Sequence, residues 1–96
     1  MPKYTYPVVF VVNEETKYHN GYIPDLQIFA EGETPEEVYA ELEVILRNFM
    51  YLSTKYNTEI PEPSKFDYIV NKWAACKVSL ISAEVKWKNN LTRLFL

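Results

Sequence analysis

The chain has 96 residues, a formal net charge of -3, one cysteine and one histidine. This length predicts a single domain. One cysteine excludes a disulfide within the chain, and one histidine leaves too few ligands for a Cys/His zinc site. No apolar run approaches the ~18 residues of a membrane span and no secretory leader opens the chain, so we expect a cytoplasmic protein that does not bind membranes.

The charge is unevenly distributed along the chain. Residues 1–63 carry four basic and eleven acidic side chains, a net charge of -7. Residues 64–96 carry six basic and two acidic side chains, a net charge of +4. An acidic surface repels phosphate, so the expected partner of the first part is a basic protein rather than nucleic acid. Ordinary solvated surface explains the same pattern without any partner.

Strand-like segments open the chain. The stretch YTYPVVFVVN, from Tyr4, is β-branched and apolar almost throughout, which predicts a strand covered on both faces. A second strand is predicted over residues 17–26, where Asn20-Gly21 indicates either a hairpin turn or a bulge. A third strand is predicted over residues 27–32, with Ile28 and Ala30 on one face and, on the other, Gln27, Phe29 and Glu31.

A helix start follows the third strand. Thr34 is a good N-cap, Pro35 suits the first helical position, and Glu37 completes a capping box. The helix is predicted to run to about Lys55 and to stop near Asn57. Its apolar stripe is expected to contain Val38, Leu42, Ile45, Leu46, Phe49 and Leu52.

The same turn, EGETPEE, also raises the question of catalysis. A phosphate loop needs several glycines, whereas this turn has one glycine among glutamates. Thr34 would act as a nucleophile only beside a base, and the sole imidazole, His19, is on another strand. We therefore interpret Thr34, Pro35 and Glu37 as a helix cap.

The rest of the chain completes the predicted domain. Pro61 and Pro63 stiffen an extended segment. Ser64 with Asp67 is expected to cap a short helix whose apolar face contains Phe66, Ile69, Val70 and Trp73. Residues 76–87 alternate as a fourth strand, whose direction stays open. We expect one domain over 1–96, of the α+β class: a small, mostly antiparallel β-β-β-α-β sheet with one main helix packed on it, and residues 86–96 as a C-terminal tail.

Candidate residues for direct chemistry are few. A divergent metal-dependent nuclease would have to use Asp25, Glu31 and Glu84, which are too sparse for the two metals of such a site. We expect no enzyme activity, no metal and no cofactor. A second alternative is an RNA-binding module in the basic, aromatic C-terminal segment, formed by Lys86, Trp87, Lys88 and Arg93. Lysines that protect an exposed strand edge explain that segment equally well.

The motifs, in their order and spacing, resemble those of the HicB antitoxins. They are Tyr6-Pro7, Pro24-Asp25-Leu26, Gly32-Glu33-Thr34 with Glu36-Glu37, and Pro61 with Pro63-Ser64. The resemblance covers roughly residues 4–64, and the strand 77–85 fits the last core strand of that family. It implies a degenerate, partial RNase H-like fold without the nuclease carboxylates.

The resemblance also implies a function. It predicts a non-enzymatic antitoxin-type protein that binds and inhibits a small basic ribonuclease toxin, similar to HicA. The expected partner-binding residues are Tyr22, Asp25, Glu33, Glu36 and Glu37. Many members carry a C-terminal DNA-binding module, but the eleven residues after Val85 are too few for one, so no DNA binding is predicted.

The apolar C-terminal residues predict self-association. A monomer has little reason to leave them in water. We expect a homodimer whose interface contains Val85, Trp87, Leu91, Leu94 and Phe95. A tail folded back on its own sheet is the alternative.

Overall fold

Alternating apolar residues build a four-stranded antiparallel sheet that carries one long helix. The computed structural model describes residues 3–84, and of Lys3 and Glu84 the backbone alone. Its elements are β1 (Lys3–Val12), β2 (His19–Ile23), β3 (Ile28–Gly32), α1 (Pro35–Lys55), α2 (Phe66–Lys72) and β4 (Lys77–Glu84). The predicted α+β class and element order are confirmed. The fourth strand ends at Glu84 within the described residues, and the predicted tail lies outside them.

The strands are ordered β3-β2-β1-β4, and every neighbouring pair is antiparallel. This settles the direction of β4, which runs antiparallel to β1. The register is continuous through Asn20 and Gly21, which pair with Val11 and Phe10 on one side. The expected turn or bulge at Asn20-Gly21 is therefore wrong.

The turn between β2 and β3 lies at residues 24–27 instead. The Leu26 N–H donates to the Ile23 carbonyl, and the Gln27 N–H donates to the Pro24 carbonyl. Gln27 has a φ of 56°, in the left-handed region, so it ends the turn and does not belong to β3 as predicted. The predicted faces of β3 are otherwise confirmed, since Ala30 is buried while Phe29 and Glu31 are exposed.

The main core lies between α1 and one face of the sheet. The helix presents a buried stripe that packs against Tyr6, Val8, Ile23, Ala30 and Ile81. Most of the predicted stripe is confirmed, but Leu52 is 49% exposed. At 100° per residue, Leu52 lies well away from Leu46, whereas Met50 and Ser53 continue the buried stripe.

The helix ends where the sequence predicts. Asn57 adopts a φ of 54°, and left-handed asparagine is a common residue just after a helix. The Asn57 N–H donates to the Thr54 carbonyl, and the Thr58 N–H donates to the Ser53 carbonyl. These two bonds form a Schellman motif, which satisfies carbonyls at the end of α1.

The second face of the sheet is partly covered by α2, which packs against β1 and β4. Pro7 and Val9 point to this face and are fully buried, as is Ile69 of α2. The prediction that β1 is covered on both faces is thus confirmed for its central residues. Phe66 and Val70, expected in the apolar face of α2, are exposed.

Neither helix in residues 3–84 combines the length and the apolar character that a membrane crossing requires.

Candidate functional site

The turn before α1 is a complete helix cap. The Thr34 hydroxyl oxygen accepts a hydrogen bond from the Glu37 N–H at 3.1 Å. The Glu37 carboxylate accepts one from the Glu33 N–H at 3.0 Å. This is the predicted capping box with one difference. The Glu37 carboxylate accepts from the amide of Glu33 rather than from the amide of the N-cap residue, Thr34. Thr34 is thus used in folding.

Exposed glutamates lie just before α1 and along its first turns. We call Glu33, Glu36, Glu37 and Glu43 the acidic surface; all of them are exposed. Within residues 3–84, no ion pair joins these four carboxylates to a basic side chain, and Lys17 pairs instead with Glu14. Like charges at this density create a negative potential that attracts a basic partner.

A cleft of about 520 Å³ opens beside the acidic surface, between α1 and the end of the sheet where β1 finishes and β4 begins. Its lining combines apolar side chains with Glu36, Glu43, His19 and Lys77. Tyr39 lies in the wall, where its hydroxyl donates to the Leu80 carbonyl at 3.0 Å. Burial, and secondarily the charge of Glu43, raise the pKa of Tyr39.

This cleft was not predicted, although its helical side has a sequence signal. Tyr39 and Ala40 lie three and four residues after Glu36, and Glu43 lies four residues after Tyr39, which places these side chains along one side of α1. That second stripe runs beside the core stripe. Its partners across the cleft, Phe10, Lys77 and Ser79, come from strands far away in sequence and have no comparable signal.

Two of the sequence motifs, Pro24-Asp25-Leu26 and Pro61 with Pro63-Ser64, contact each other at the turn of the β2–β3 hairpin, away from the start of α1. The Asp25 carboxylate accepts hydrogen bonds from the Ser64 N–H, at 2.9 Å, and from the Ser64 hydroxyl. Nearby, the Tyr6 hydroxyl donates to the Pro61 carbonyl at 2.6 Å. The predicted role of Ser64 as the cap of α2 is therefore wrong. Lys65 occupies the N-cap and makes no side-chain bond to the helix. The Ser64 hydroxyl donates to Asp25 instead of capping α2.

Aromatic side chains form a row on the second face of the sheet. Tyr22 lies between Trp73 and Phe29, with ring centroids 5.8 Å and 6.4 Å away. Phe29, at the end of the row, is 72% exposed. The indole N–H of Trp73 is buried and has no hydrogen-bond partner among the described residues.

The five predicted partner-binding residues therefore do not form one patch. Glu33, Glu36 and Glu37 lie together at the start of α1. Asp25 lies at the far end of the hairpin, where it holds Ser64, and Tyr22 belongs to the aromatic row. Val85 and all the other residues predicted for the dimer interface or for RNA binding lie outside the described residues.

The nuclease candidates are also separated. Asp25 is in the β2–β3 turn, and Glu31 is near the other end of β3 on an exposed face. The described part of the chain holds no group of three or more His, Cys, Asp or Glu side chains placed to bind a metal ion.

No protein-family model, no curated protein and no solved structure matches this chain.

Proposed function

We propose that this protein is a cytoplasmic, non-enzymatic binding protein of the antitoxin type, which covers a small basic ribonuclease. The single observation that carries the proposal is the acidic surface beside an open cleft. Its carboxylates are exposed and none is paired with a basic side chain of the described chain. A basic partner would find both complementary charge and apolar walls at this place.

The resemblance to the HicB antitoxins adds a second, independent support. In the fold, the Pro-Asp-Leu turn and the Pro-x-Pro-Ser segment are joined through Asp25 and Ser64. The Gly-Glu-Thr-x-Glu-Glu motif forms the cap of α1. Asp25, Ser64, Thr34 and Glu37 of these motifs thus contribute to the fold, while the exposed side chains of Glu33 and Glu36 contribute to the acidic surface.

The experiment first identifies the partner by a pull-down with the full chain followed by mass spectrometry, in which we expect a small basic protein. Both proteins are purified and mixed, and complex formation is followed by light scattering coupled to size-exclusion chromatography. The test variant is Glu36→Gln/Glu43→Gln, which removes charge from the cleft and leaves the apolar walls. The matched control is Glu15→Gln/Glu59→Gln, which removes two exposed charges elsewhere and gives the same net charge.

We expect the wild-type protein and the control to form the complex, and the test variant to bind more weakly and with a smaller dependence on salt. Equal binding by both variants would reject the acidic surface as the site. Failure of the full chain to capture a small basic protein would count against the antitoxin proposal.

A further inference from the structure

We infer that the outer edge of β3 is a docking edge that receives an extended segment of a basic partner as an added strand. This inference deepens the proposed function, on which it rests, by specifying how the partner binds. Adding a strand to an open sheet edge supplies main-chain hydrogen bonds for affinity, while alternate side chains supply specificity.

The first argument is that this edge is open. In the sheet formed by the described residues, β3 is an outer strand and pairs only with β2. Proteins usually protect such an edge with lysine or another charged side chain, with proline, with a bulge, or by keeping the strand very short. The β3 sequence, IFAEG, has neither lysine nor proline, and its register with β2 is continuous.

The other outer strand, β4, differs in two respects. β4 begins with Lys77, and its Leu80 carbonyl already accepts a hydrogen bond from the Tyr39 hydroxyl. A strand that pairs there would have to compete with this bond. The comparison favours β3 as the edge that is left free for another chain.

The second argument is the exposed aromatic ring on β3. Phe29 is 72% exposed, although it ends a row of rings that begins with Trp73 and Tyr22. An apolar side chain on an added strand would lie opposite Phe29 and extend this row.

The third argument is charge, which determines the chemistry of the occupant. Glu31 is exposed on the same face as Phe29, two residues along the strand, and Glu33 follows. A second copy paired antiparallel about Glu31 would place the two Glu31 side chains opposite each other, which is destabilising. A basic segment gains instead, since opposite charges across a strand pair are stabilising. For an antiparallel added strand, the pattern that fits is a basic residue, any residue, and then an apolar or aromatic residue.

A direct test needs no knowledge of the natural partner. The probe is the blocked pentapeptide Thr-Lys-Val-Phe-Thr, whose lysine would lie opposite Glu31 and whose phenylalanine would lie opposite Phe29. The full chain is labelled with ¹⁵N, and backbone amide shifts and hydrogen exchange are followed during titration. The β4 amides serve as the internal control.

We expect saturable shifts and slower exchange for amides of Ile28–Gly32, with β4 unchanged. Two N-methylated peptides separate strand pairing from simple charge attraction. One peptide is N-methylated at Lys and Phe, and the other at Val. Only alternate amides of an added strand face β3. One of the two peptides should therefore lose binding, while the other keeps it. Glu31→Lys should weaken binding by about fivefold.

Several outcomes would overturn the inference. They are the absence of saturable binding, shifts confined to β4 or α1, and equal binding by both methylated peptides. Protection of β3 that rises with protein concentration without peptide would show that a second copy occupies the edge. Peptide binding at β3 by a chain that captures no small basic protein would leave this inference intact and reject the antitoxin proposal. A complex with a small basic protein that leaves the β3 amides unprotected would support the antitoxin proposal and reject the inference that β3 receives an added strand.

Discussion

Asp25 and Ser64, 39 residues apart in sequence, are joined through both carboxylate oxygens of Asp25. One oxygen accepts the backbone N–H of Ser64 and the other accepts its hydroxyl. The contact fixes the extended segment before α2 to the turn between β2 and β3. We expect Asp25→Asn to lower the free energy of unfolding by about 1–3 kcal/mol, because an amide cannot accept at both positions. Urea denaturation measures this change. Asp67→Asn, at an exposed position of α2, is the control and should have little effect.

The cap of α1 provides a second stability test. Thr34→Ala removes the acceptor of the Glu37 N–H and should lower the free energy of unfolding by about 1 kcal/mol. Glu36→Ala, one residue before Glu37, removes an exposed side chain for which no hydrogen bond is recorded. A thermal unfolding curve in which Thr34→Ala matches the wild type would show that this cap contributes nothing.

Two glycines should respond differently to the same substitution. A Cβ added at Gly21 would lie 2.6 Å from Val38 Cγ1 and 2.7 Å from Leu42 Cδ1, in the core beneath α1. At Gly32 the nearest atom would be 3.3 Å away. Gly21→Ala should therefore destabilise the protein by about 1–3 kcal/mol, as overpacking does, and Gly32→Ala by less. Equal losses in denaturant titrations would mean that α1 does not approach β2 this closely.

The buried phenol of Tyr6 predicts a dependence on alkaline pH. Its pKa is raised from 10.0 to about 12, mainly by burial and then by the negative charges of ionised Tyr4, Asp25 and Glu62. Below pH 10 the phenol is neutral in both states. Between about pH 10 and 12 it ionises first in the unfolded chain, so stability falls as pH rises. The fall should be smaller in Tyr6→Phe, which also loses the hydrogen bond to Pro61. Parallel stability curves for the two proteins over this range would contradict the assignment.

Local signals in the sequence were sufficient for much of the fold. The cap at Thr34 and the stop at Asn57 each depend on a few consecutive residues, and both are confirmed. The role of Ser64 was predicted wrongly, since a local rule made it a helix cap while a contact with distant Asp25 uses its hydroxyl. Gly21 is a similar case. Asn-Gly is a local turn signal, but here the missing side chain makes room for α1, which only the tertiary packing reveals.

The candidate site was less predictable for the same reason. The glutamates at the start of α1 were recognised because they are consecutive in sequence. The cleft needs Phe10, Lys77 and Ser79 from two strands, and the docking edge depends on which strand ends up at the outside of the sheet. Strand order depends on contacts between residues far apart in sequence, and the hydrophobic periodicity of a single segment does not predict it.

The most direct test of the central claim is inhibition of the RNA cleavage carried out by a small basic protein that the full chain captures in a pull-down. Cleavage of a fluorescent RNA is measured while the full chain is added in increasing amounts, at low and at high salt. The account predicts that activity falls to background near equimolar addition, with weaker inhibition at high salt and in the Glu36→Gln/Glu43→Gln variant. Unchanged cleavage at a large excess of this protein, under conditions in which both proteins are folded, would contradict it.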